Sequence, residues 1–119
     1  MMRVLLLACV LWLAPACATV PGERPAASSH SMEARAVALL QAYAVILDEA
    51  AKVAADPATP LAVKQTLARA ERVATPAAEA LVLALRAHAR AQSDGSELQL
   101  VEAMRFAEAA LMSFAAAIP

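Results

Sequence analysis

Glycine is almost absent from this chain, with only Gly22 and Gly95 among 119 residues. That excludes the glycine-rich turns that cradle phosphates, and no nucleophile elbow surrounds Ser31, Ser93, Ser96 or Ser113. Aromatic residues are scarce too, at 3%. Without aromatics interleaved among its basic residues, and with a net charge of −1, the chain is no candidate for nucleic acid. The histidines, His30 and His88, stand too far apart in sequence for a recognisable metal motif, so neither a metal nor a cofactor is expected. Cys9 and Cys17 both lie near the start, which leaves the rest of the chain without disulfide or thiol chemistry. No segment reaches the ~18 uninterrupted apolar residues that suggest a membrane span. No catalytic constellation survives these gaps, and the chain is expected not to be an enzyme.

What the sequence does contain begins with its opening residues. Arg3 precedes an apolar stretch from Val4 to Ala16, thirteen residues long. As a helix that is roughly 20 Å, short of the ~30 Å hydrocarbon core. The stretch ends in small residues, Ala14-Pro15-Ala16, directly before Cys17. A charged start, a short apolar run and small residues at its end make a bacterial export signal over 1–16. A cysteine at the cut site has a thiol that can carry lipid.

These residues resemble the lipobox of bacterial lipoproteins, whose usual pattern is leucine, a small residue, glycine or alanine, then cysteine. Ala16-Cys17 fits, whereas Ala14 stands where leucine is usual. The resemblance covers about the first twenty residues and implies palmitate on Cys17, which would hold the protein to the membrane. Ala18, where aspartate would retain a lipoprotein at the inner membrane, implies the outer membrane, facing the periplasm. Ordinary secretion stays open, because Ala14-Pro15-Ala16 and Ala16-Cys17-Ala18 both satisfy a small-x-small cleavage rule. Its product would be a soluble periplasmic protein. Between residues 17 and 30, Pro21, Gly22, Pro25, Ser28 and Ser29 read as a flexible tether.

The remainder, 31–119, reads as an all-α domain. Alanine, with 34 copies, is the best helix former and is avoided by strands. A first helix is expected from about Ser31 to Ala55, with Met32, Ala36, Leu39, Tyr43, Ile46, Ala50 and Val53 at spacings of four and three. Val37, Leu40, Ala44, Leu47, Ala51 and Ala54 make a second stripe beside it. Asp56-Pro57 ends this helix, with Thr59 as the next N-cap and Pro60 at the first helical position. The second helix is expected from Pro60 to about Gln92, its seam formed by Val63, Leu67, Ala70, Ala74, Ala77, Leu81, Ala84 and His88. The rhythm passes through Pro76, which favours one kinked helix; the alternative has Thr75 capping a fourth helix. Ser93 to Ser96 reads as a turn, and Ser96 with Gln99 as a capping box. The third helix then runs to about Ala117 along Leu100, Met104, Ala107, Leu111, Phe114 and Ile118. Tyr43, Phe106 and Phe114 are expected in the core.

Charge suggests how the helices sit. Residues 31–56 carry net −2, residues 60–93 net +3 and residues 94–119 net −3. A basic helix between two acidic ones suits an antiparallel three-helix bundle with short connections. Arg69, Arg72, Arg86 and Arg90, with Glu79 among them, form a stripe that could contact an anionic headgroup, polymer or partner; the plainer reading is a solvated face. His88, between Arg86 and Arg90, reads as a satisfied edge residue.

The function expected from these features is non-catalytic binding or scaffolding by a lipid-anchored envelope protein, with another envelope protein or a second copy as partner. Small size, alanine richness and the uncharged end from Ala109 to Ile118 give a looser likeness to small prophage-type helical lipoproteins. That likeness implies a membrane-active or lysis-accessory role.

Overall fold

The computed structural model describes residues 24–119, with side chains from residue 31 onward. Cys17 and the export run lie outside the described residues, as does the side chain of His30. The fold is an all-α antiparallel bundle of three helices: α1 (Arg24–Ala55), α2 (Leu61–Ala91) and α3 (Asp94–Ala116). None of them is long and apolar enough to cross a membrane.

α1 begins at Arg24, earlier than expected and inside the segment read as a tether. Pro25 sits in its first turn, where a missing N–H breaks no helical bond, and Ala26 and Ala27 follow. Pro57 prevents the helix from continuing. The chain turns instead as the Asp56 carboxylate accepts the Ala58 N–H at 2.8 Å and the Asp56 carbonyl accepts the Thr59 N–H at 3.2 Å.

α2 starts one residue later than expected, and Thr59 does not cap it. Pro60 stands just outside the helix at φ −58° and ψ 144°, and its carbonyl accepts the N–H groups of Val63 and Lys64 at 3.0 and 3.2 Å. The helix runs unbroken through Pro76, so the four-helix alternative is excluded. Burial explains this: Ala74, Ala77, Ala78 and Leu81 are buried on both sides of the proline, and packing holds the axis together.

The α2–α3 connection is tighter than a four-residue turn. Gln92 takes the left-handed conformation (φ 44°, ψ 44°) and donates its N–H to the His88 carbonyl at 2.8 Å. Ser93, not Ser96, is the N-cap of α3. Its hydroxyl accepts the Ser96 N–H at 3.3 Å, while the Ser96 hydroxyl accepts the Ser93 N–H at 3.0 Å. Ser96 therefore occupies the third helical position and Gly95 falls inside the first turn. The expected Ser96–Gln99 box is replaced because the Ser96 side chain turns inward, toward His88.

Two apolar clusters fill the bundle. Near the α2–α3 turn, Ala36 meets Leu81, Leu100, Met104 and Ala107; toward the other end, Ala50 meets Leu67, Ala74 and Phe114. These pairings run α1 antiparallel to α2, and α2 antiparallel to α3. Leu81, Leu100 and Phe114 are the largest fully buried side chains. Each contributes roughly 1.5–3 kcal/mol through burial. Alanine supplies most of the remaining seam and adds little area per residue. The second stripe of α1 is only partly used, with Leu40 and Leu47 half-buried and Val37, Ala44, Ala51 and Ala54 exposed.

Phe106 departs from expectation. It is 57% exposed, because one residue before Ala107 places it about 100° from the seam. Tyr43 is half-buried, and its hydroxyl lies 2.7 Å from the Thr75 hydroxyl of α2.

Candidate functional site

The arginine stripe does not assemble into a site. Arg69, Arg72, Arg86 and Arg90 are all exposed along α2, and Glu79 divides them into two pairs. Arg69 donates to the Thr66 hydroxyl at 3.2 Å and Arg72 to the Ala68 carbonyl at 3.4 Å, both local bonds within the helix. From Arg72 to Arg86 is fourteen residues, or roughly 21 Å of helix, so no single small anion meets both pairs. Such a stripe suits an extended anionic surface or plain solvation.

The Asp48-Glu49-Lys52 group is likewise a surface arrangement. The Lys52 ammonium lies 2.8 Å from a carboxylate oxygen of each acid. Hydrogen bonds to Asp48 and then to Glu49 hold it above the ordinary lysine range. The group is exposed and counts for little in stability.

A cleft of about 330 Å³ opens between α1 and α3, walled by Ser31, Met32, Arg35, Val101, Met104, Arg105 and Glu108. Arg35 reaches both Glu108 carboxylate oxygens, at 3.2 and 3.4 Å, and closes one side. The methionines give it an adaptable apolar floor under a charged rim.

The densest polar chemistry lies where all three helices meet. His88 is 2% exposed, so it is a central residue of the bundle rather than the edge residue expected. Its Nδ1 is 3.0 Å from the Ser96 hydroxyl, and its Nε2 is 4.0 Å from a Glu33 carboxylate oxygen on α1. The Ser96 hydroxyl has one proton, which it donates to the Ser93 carbonyl at 2.8 Å. With that proton so placed, the ring can donate from Nδ1 to Ser96, and Nε2 is turned toward Glu33. That buried nitrogen has no hydrogen-bond partner.

Serine, histidine and glutamate in a row have the composition of a nucleophilic triad, but not its disposition. Ser96 is buried, and its oxygen is already bonded to the Ser93 N–H, the Ser93 carbonyl and His88. No substrate carbonyl can approach an oxygen so enclosed. The junction is suited to fixing α2 and α3 in register, with Glu33 of α1 beside it. Sequence reasoning placed His88 on the α2 seam and Ser96 at a cap, but nothing in spacing announced that they meet. Glu33 was missed as their neighbour; its place three residues before Ala36 of the inward stripe, about 60° from it around α1, was the available signal.

No family model matches this chain, and no curated protein or solved structure matches it either.

Proposed function

We propose that this chain is a small envelope protein, held to the outer membrane by lipid on Cys17 and facing the periplasm, that acts by non-catalytic binding or scaffolding. The observation that carries the reading is Cys17 directly after Ala14-Pro15-Ala16 at the end of a short apolar run. The bundle supports it with surface to offer: Val73, Leu83, Leu98, Phe106 and Met112 are all more than half exposed on α2 and α3. Large apolar side chains concentrated on two adjacent helices suit contact with a partner better than bare solvation.

Radiolabelled palmitate followed by envelope fractionation tests the anchor. The expected result is a labelled outer-membrane protein that loses its label and enters the soluble periplasmic fraction in Cys17→Ser. An unlabelled soluble protein that Cys17→Ser leaves unchanged would overturn it, in favour of ordinary secretion. A second reading, a membrane-active or lysis-accessory role, draws on the uncharged stretch from Ala109 to Ile118, where Met112 is 70% exposed. It requires induced expression to weaken the envelope; an intact envelope would remove it.

A further inference from the structure

The three helices are not equally committed to the core. Among the described residues, the buried side chains of α1 are Ala36 and Ala50, both small. Its larger apolar residues Leu39, Tyr43, Ile46 and Leu47 are only half-buried. By contrast, α2 buries Leu67, Leu81 and His88, and α3 buries Leu100, Leu111 and Phe114. The α2–α3 hairpin also carries its own closure. Only Gln92 and Ser93 separate its helices, and the Gln92 N–H reaches the His88 carbonyl at 2.8 Å. The Ser93–Ser96 capping box starts α3, and the His88–Ser96 contact at 3.0 Å ties it to α2.

The ties of α1 to that hairpin are weaker. Arg35 and Glu108 make an exposed ion pair, of the kind that contributes little. Glu33 stops 4.0 Å from the His88 ring, and the short contact is the 2.7 Å bond between the Tyr43 and Thr75 hydroxyls. The first turn of α1 holds no acid to complement its dipole, whereas that of α3 holds Asp94 and Glu97. Stabilisation by burial grows with the apolar area removed from water. A helix that half-buries its large side chains is therefore released more readily than one that buries them fully. Removing α1 leaves the hairpin members of both clusters together: Leu81 with Leu100 and Met104, and Leu67 and Ala74 with Phe114. We infer that α1 is a displaceable strap, which opens as a unit about the loop around Pro57 and uncovers the apolar seam of a hairpin that stays folded.

Native-state amide exchange of the full chain at low urea concentrations tests this. Amides along the middle of α1 are expected to exchange on the order of tenfold or more faster than those beside Leu81 and Leu100. Their exchange should also respond less steeply to urea, because opening the strap exposes less surface than unfolding the whole bundle. Ala36→Asp sharpens the test by placing a charge where α1 meets Leu81 and Leu100. It is expected to strip protection from α1 while α2 and α3 keep theirs. One common exchange rate and urea response for all three helices would overturn the inference. So would loss of protection in α2 and α3 together with α1 in Ala36→Asp, or α1 amides that outlast those of α3.

Discussion

The two ends of the bundle are held by different chemistry. At the α2–α3 turn, a buried histidine joins Ser96 of α3 and faces Glu33 of α1, above a cluster that includes Leu81 and Leu100. At the opposite end, Phe114 sits fully buried against Ala50, Leu67 and Ala74, with Tyr43, Ile46 and Val53 around it. One end depends on polar groups that tolerate few arrangements. The other depends on one fully buried ring packed among apolar side chains. Apolar burial supplies the energy and is forgiving about register, whereas the hydrogen-bonded junction adds less energy but selects a single alignment.

The largest effect is expected where that contrast is broken by removing the aromatic ring. Phe114→Ala should cost about 3–5 kcal/mol in urea unfolding, because the loss of so large a buried ring leaves a cavity that its neighbours fill only in part. Amide exchange should rise around residues 46–53 while the turn end stays protected. A loss below about 1 kcal/mol would show that the two ends are not separately held. His88→Ala should cost about 2 kcal/mol, with increased exchange in α1 near Glu33 instead. His88→Leu sharpens the comparison, since it fills the volume and removes the orphaned Nε2. It should recover much of the stability but allow exchange near Glu33 to stay high. Equal protection in His88→Leu and wild type would deny the junction its role in alignment. The smallest effect, about 1 kcal/mol, is expected from Tyr43→Phe, which removes only the bond to Thr75 between the two ends. Its measure is the shift in unfolding midpoint at unchanged denaturant dependence.

Much of this architecture was legible from spacing alone. The α3 seam from Leu100 to Phe114 is buried as its three-four rhythm requires, and so is the α2 run through Leu67, Ala74, Ala77 and Leu81. Helical periodicity reports which face is apolar, and that was enough to obtain three helices. It is weaker at the margins. Phe106 reads as core because it stands at helical spacing from other apolar residues, yet it lies off the seam and is exposed. The cap of α3 moved from Ser96 to Ser93 because a serine at each place suits either pattern, and a contact distant in sequence, with His88, decided between them. The start of α1 was hidden by Pro25, which breaks helices in the interior but is compatible with a first turn. The candidate sites were less legible than the fold. A junction built from residues on separate helices leaves no local motif.

The early start of α1 has an orientational consequence for the anchored form. With lipid on Cys17, only residues 18–23 separate the membrane from a continuous helix of 32 residues. Six residues reach at most roughly 20 Å when fully extended. The N-terminal half of α1 lies beside the α2–α3 turn, since Glu33 faces His88. In the anchored form proposed above, that turn is the end of the bundle nearer the lipid, and the loop around Pro57 is the end farther from it.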